Sequence, residues 1–202
     1  MASVYDLKPG FQKRLRPAVA WLVRAGVTPN QVTVAALALS AAGGAAIAAW
    51  PESRWPLVAL PGVLLLRMAL NAIDGMMARE HNKATPLGAI LNEAGDVASD
   101  AVLYLPLALV PAFGAWLVVA IVILSAVGEL VGVTAATVGA SRRYDGPMGK
   151  SDRAFWISIL ALVAAWRPAG GVRMDVPLSG VAVLAAATVI NRARAAVREI
   201  ES

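Results

Sequence analysis

Six apolar stretches, each near the length needed to cross a bilayer, leave this 202-residue chain few architectures to choose from. They fall near 30–50, 56–79, 87–111, 113–140, 152–168 and 176–194. A helix needs about 20 residues to cross a hydrocarbon core of roughly 30 Å. The breaks between the stretches, "WPESRWP", "REHNKATP", "VPAFG", "SRRYDGPMGKSD" and "WRPAGGVRMD", are rich in Pro, Gly and charge. With 58% hydrophobic and 15% charged residues and a mean hydropathy of +0.66, the composition is that of a membrane protein. The absence of cysteine excludes a disulfide framework and thiolate metal sites.

The expected fold is an all-α integral membrane protein, a single domain over 1–202. Residues 1–26 form an amphipathic surface helix, and 28–195 form a bundle of six transmembrane helices. The first 14 residues lack the apolar core of a secretory signal peptide. "YDLKPGFQKRLRPAVAWLVRAG" instead mixes Lys8, Lys13, Arg14, Arg16 and Arg24 with Phe11, Leu15, Trp21 and Leu22, a headgroup-level pattern. Thr28 then stands at a cap position, with Pro29 in the first helical turn. The formal charge of +5 does not point to nucleic acid, because the basic residues flank the apolar runs. Six spans put both termini and the second and fourth loops on one side, where 14 Lys and Arg fall. The other side has Arg54, Arg167 and Arg173. The positive-inside rule places the richer side in the cytoplasm, in a bacterial cell the inner face of the cytoplasmic membrane.

The segment "NAIDGMMAREHNKATPLGAILNEAGDVASD", residues 71–100, is unusually polar for this setting. Helical spacing puts Asn71, Asp74, Gly75 and Ala78 on one face of the second span. It puts Asn92, Asp96, Ser99 and Asp100 on one face of the third. The short loop makes the two spans antiparallel neighbours, so the faces can meet at the cytoplasmic surface. Oxygen donors without His or Cys suit a hard divalent cation. Buried charges in membrane helices usually serve function, although Asn and Asp also join helices by hydrogen bonds.

The segment resembles the signature of the CDP-alcohol phosphotransferase family, D-x2-D-G-x2-A-R-x8-G-x3-D-x3-D. Here it reads Asn71-x2-Asp74-Gly75-x2-Ala78-Arg79-x8-Gly88-x3-Asn92-x3-Asp96. Every spacing is kept, and the departures are the two Asn. "TPNQVT" at 28–33 and the basic "GPMGKSDRA" at 146–154 are similar to family segments in the same places. The likeness is greatest to a bacterial branch with Asn at these two positions.

The resemblance implies transfer of a phosphatidyl group from CDP-diacylglycerol, or a similar CDP-lipid, to a small alcohol, with release of CMP. It implies one or two divalent ions, Mg²⁺ or Mn²⁺, and a homodimer among membrane lipids. Asp74 would hold metal and place the diphosphate, and Asp96 would also act as general base. Gly75, Ala78, Arg79, Thr85 and Gly88 match positions around the CDP group, and Pro29, Asn30, Gln31 and Thr33 match the first-span contact. Lys150 and Arg153 lie where some members bind an acceptor phosphate, which favours an acceptor such as glycerol 3-phosphate.

The Asn residues remove two negative charges from the expected metal site. Three readings remain open. Asp96 is the base and Asp100 supplies a missing carboxylate ligand, Glu93 being off that face. Alternatively the register has moved one turn and Asp100 is the base. In the third, the protein binds CDP-lipids without turnover. A transporter would carry its polar groups nearer the midplane. Glu129, mid-span, is expected to find an ionic partner, Arg67 either to pair with an acid or to contact a phosphate, and Arg142 and Arg143 to meet anionic headgroups.

Overall fold

The computed structural model describes residues 8–166 and 173–201. Residues 1–7 of the expected surface helix, and Arg167 from the charge count, lie outside the described residues. Seven α-helices follow one another: α1 (Lys8–Arg24), α2 (Pro29–Ala49), α3 (Arg54–Glu80), α4 (Pro86–Tyr104), α5 (Ala115–Thr137), α6 (Lys150–Ala165) and α7 (Asp175–Glu201). A 3-10 segment, Leu105–Leu109, prolongs α4. Each expected apolar stretch coincides with one helix to within a few residues, except that the stretch at 87–111 divides into α4 and the 3-10 segment, and α7 runs on to Glu201.

Two Thr-Pro pairs start the helices nearest the polar segment. Thr28 Oγ1 accepts from the Gln31 N–H, and Gln31 Oε1 accepts from the Thr28 N–H at 2.9 Å, a reciprocal box ahead of α2. Thr85 Oγ1 accepts from the Gly88 N–H at 2.9 Å ahead of α4. A cap of this kind stabilises a helix by about 1 kcal/mol. Each also fixes where the helix begins.

By length and composition, α2, α3, α5 and α7 are each able to cross a membrane. The other two candidates fall short for separate reasons. α4 carries Glu93, Asp96 and Asp100, and α6 has 16 residues, about 24 Å of helix. Large apolar side chains on the outer faces, among them Leu65, Leu66, Ile90, Ile123, Leu130 and Val183, are exposed, as lipid contact requires.

α2 is the hub of one half, packing on both α3 and α4, while α5 and α7 pair in the other. The α2–α4 contact depends on Gly44. A Cβ there would sit 1.9 Å from the Val102 carbonyl oxygen. Ser40, one turn earlier, is buried and donates to the Ala36 carbonyl. The Ser40-x3-Gly44 stripe is thus a close-packing surface, as its small residues suggest. α1 lays Val19, with Leu15, Leu22 and Val23, against Ile73, Met76 and Met77 of α3, and leaves Trp21 exposed.

Candidate active site

The polar signature residues gather at one end of the bundle, where α2, α4 and α6 begin and α3 ends. The two signature helices are not the close neighbours expected from their short loop. α3 and α4 pack little on each other; α2 lies against both, and α6 packs on α3. Side chains from α2, α3 and α6, rather than a direct α3–α4 seam, meet at this end.

Asp74 of α3 is buried. Thr33 of α2 donates to its Oδ2 at 2.8 Å, while its Oδ1 is buried without a hydrogen-bond partner. From α3, Asn71 Nδ2 donates to Asp96 Oδ1 of α4 at 2.9 Å. Lys150, the first residue of α6, forms an ion pair with the same Asp96 oxygen. Asn92 stands one helical turn before Asp96, partly exposed. Three helices therefore deliver groups to Asp96 and Asp74, and α2 supplies the hydroxyl that orients Asp74.

Gly75 keeps space for Arg79: a Cβ on Gly75 would lie 2.8 Å from the Arg79 guanidinium. Arg79 is exposed and makes no ion pair among the described residues. Ala78, just before Arg79, is half-buried. Gly88 brings α4 against α2, since a Cβ there would lie 2.7 Å from Asn30 Oδ1. Pro29 is buried in the first turn of α2, and exposed Gln31 is occupied in its cap. Thr85 caps α4, so its hydroxyl has a structural duty.

Asp100 sits one turn deeper and has a different environment. Arg67 of α3 pairs with its Oδ1 and Arg153 of α6 with its Oδ2, and all three side chains are buried. Both oxygens are thus engaged by guanidinium groups. Arg153 is turned inward onto Asp100 of α4. Glu129 lies between Arg192 of α7 at 3.4 Å and Arg142 at 3.8 Å, and Arg142 also pairs with Glu93. Expected at the headgroups, Arg142 instead points into the bundle, because two carboxylates from α4 and α5 converge on it. Arg143 pairs with Asp145 and Glu199.

Do these residues suit a divalent cation? No group of three or more His, Cys, Asp or Glu is placed to hold one among the described residues. The donors are a mixed set of two acids and two amides, Asp74, Asp96, Asn71 and Asn92. A hard cation accepts amide oxygens as well as carboxylates. The buried, unpartnered Asp74 Oδ1 is the oxygen such an ion would satisfy. The set fits a divalent cation.

The sequence profile of CDP-alcohol phosphatidyltransferase matches residues 26–191. The chain belongs to the CDP-alcohol phosphatidyltransferase family. It is 44% identical to inner membrane protein YnbA of Escherichia coli K12 over 194 residues, 95% of each chain. It is 30% identical to the phosphatidylinositol phosphate synthase of Mycobacterium marinum over 179 residues, covering 83% of this chain and 74% of that one. It is 32% identical to the archaetidylinositol phosphate synthase of Aeropyrum pernix over 167 residues, 78% of each. In fold it resembles the Mycobacterium tuberculosis phosphatidylinositol phosphate synthase solved with CDP-DAG bound, at a TM-score of 0.65 and 23% identity, covering 92% of this chain and 90% of that one. The same enzyme was solved in complex with manganese and citrate, and that structure matches with a TM-score of 0.64. CDP-alcohol phosphatidyltransferases are enzymes of phospholipid synthesis, and the apolar helices place this member in a membrane.

Proposed function

We propose that this chain transfers a phosphatidyl group from CDP-diacylglycerol to a small phosphorylated alcohol, such as glycerol 3-phosphate or an inositol phosphate, and releases CMP. The observation carrying this reading is the pair Asp74 and Asp96 at one end of the bundle, the first with a buried oxygen to spare and the second linked to Asn71 at 2.9 Å. The relatives' names support a phosphatidyl or archaetidyl donor and an inositol phosphate acceptor.

In this reading six helices cross the membrane, with α1 on its cytoplasmic surface and the polar end facing the cytosol. The chain works as a single membrane domain within a homodimer. The 14 Lys and Arg on the site's side support that orientation. The lipid tails stay among the bundle's exposed apolar faces, while the diphosphate reaches the polar end. Arg79, over Gly75, faces the diphosphate, and Asn30, Thr33, Ala78, Thr85 and Gly88 shape the space for the CDP group. Asp74, Asp96 and the amides of Asn71 and Asn92 would hold a divalent cation, Mg²⁺ or Mn²⁺. Such an ion supplies positive charge against the diphosphate and the developing charge of an in-line displacement.

Asp96 takes the proton of the acceptor hydroxyl. The acceptor oxygen bonds to the phosphorus that carries diacylglycerol, and the bond from that phosphorus to the CMP oxygen breaks. Lys150, beside Asp96, attracts the acceptor's phosphate. Arg153 supports that wall through Asp100 and does not touch the acceptor. Asp100, held by two guanidinium groups, is an anchor and neither base nor ligand.

The test is the lipid product. Purified protein in nanodiscs with CDP-diacylglycerol and Mg²⁺ or Mn²⁺ is offered glycerol 3-phosphate, inositol phosphate, glycerol, serine and inositol, and the lipids are read by mass spectrometry. A phosphate-bearing product from a phosphorylated acceptor is expected. A product formed only from an unphosphorylated alcohol would overturn the acceptor class.

A further inference from the structure

The charges around Asp96 do not suit two divalent ions. A dinuclear site holds its ions about 3.5–4 Å apart and needs carboxylates that reach both. Here the four aligned positions supply two acids, Asp74 and Asp96, and two neutral amides. Asp96 Oδ1, the oxygen facing Asn71, also carries the Lys150 ammonium. Asp74 Oδ2 is occupied by Thr33. Two carboxylates less one ammonium leave a local charge of about −1, too little to hold two dications close together.

Asp100 does not relieve the deficit, because Arg67 and Arg153 each hold one of its oxygens. Nor does Glu93, which pairs with Arg142. The unpartnered, buried Asp74 Oδ1 is the oxygen left for an ion.

We infer that this site binds a single divalent cation beside Asp74, and that the Lys150 ammonium on Asp96 takes the place of a second one. Lys150 suits this role. It starts α6, so its position is fixed by the helix, and a lysine ammonium is a compact point charge that a phosphate oxygen can approach. Resting on the functional reading above, the inference deepens it: the positive charge met by substrate on the Asp96 side comes from the protein, independent of metal concentration.

Counting ions requires no turnover. Protein in nanodiscs, without nucleotide, is titrated with Mn²⁺, and free ion is read by electron paramagnetic resonance. The wild type is expected to bind one Mn²⁺ per chain. Lys150→Met should tighten Mn²⁺ binding at least about tenfold, because a like charge is lost beside the site. Lys150→Arg should leave it within about threefold, which controls for folding. The triple variant Asn71→Asp, Asn92→Asp, Lys150→Met should bind two. Two ions on the wild type, or no change of affinity in Lys150→Met, overturns the inference and leaves the transferase reading standing. No ion on the wild type overturns both.

Discussion

Two regions of this bundle bury charge, and they do it to different ends. Around Glu129, α5 and α7 close tightly. Arg192 donates to the Gly128 carbonyl oxygen at 2.6 Å, Glu129 has Arg192 on one side and Arg142 on the other, and Arg142 reaches on to Glu93. Small residues make this possible, since a Cβ on Gly132 would press within 2.8 Å of the Arg143 carbonyl oxygen. Around Asp74 and Asp96, α3 and α4 pack little directly on each other, one carboxylate oxygen is buried without a partner, and Arg79 has no ion pair among the described residues. Charges that answer one another hold helices together. Charges left over have something else to meet.

The largest expected effect belongs to Asp100, which has the Glu129 region's character one turn from Asp96. Asp100→Ala leaves Arg67 and Arg153 buried without their anion, a loss of about 3–5 kcal/mol. Thermal unfolding in detergent should show it as a large drop in Tm. The triple change Arg67→Met, Asp100→Leu, Arg153→Met should restore most of it, because a packed apolar set replaces the ion triad. If Asp100→Ala instead unfolds like the wild type and fails only in turnover, Asp100 belongs to the chemistry.

A smaller effect is expected at Glu129. Glu129→Gln removes the charge between Arg192 and Arg142, with a stability loss of about 1–3 kcal/mol in the same unfolding assay. CMP release per folded molecule should stay within about threefold of the wild type. A collapse of activity with stability unchanged would put Glu129 in the site and erase the contrast between the regions.

The smallest effect concerns acid. The Arg143 guanidinium holds the Asp145 carboxyl below its ordinary value. Hydrogen bonds from Ser141, then Arg143, do the same for Glu199. Groups lowered in the fold stabilise it above their unfolded values, near pH 4, and that contribution is lost as pH falls through the lowered values. Tm recorded from pH 6 to pH 3 should fall a little less steeply in Asp145→Asn with Glu199→Gln than in the wild type. Both carboxylates are solvent-facing, so the difference is small.

Much of the fold was legible in the sequence because hydrophobic length and Thr-Pro starts are local signals. Thr28 and Pro29 open α2 as their chemistry dictates, and the Ser40–Gly44 stripe marks a close helix contact. Helical spacing also put the signature residues on common faces. What spacing does not carry is which third helix stands between two neighbours in sequence. The short loop from α3 to α4 suggested a direct seam, yet α2 takes both contacts. Nor does spacing assign ionic partners across the chain. Lys150 is 54 positions from Asp96 and Arg153 is 53 from Asp100, and only the packing of α6 at the site brings each pair together. Arg142 reads as a headgroup contact until Glu93 and Glu129 are seen to converge on it.

Metal-dependent phosphatidyl transfer with Asp96 as the base is the proposed work of the Asp74–Asp96 region. CMP release from CDP-diacylglycerol by wild type and Asp96→Ala in nanodiscs, with and without Mn²⁺ or Mg²⁺ and across the acceptor panel, tests it at the chemical step. Release is expected to need both metal and an acceptor, and to fall at least about a thousandfold in Asp96→Ala while Tm stays near that of Asp96→Asn. Metal-dependent binding of the CDP-lipid with no CMP release from any acceptor would contradict it, and would make the protein a binder of CDP-lipids.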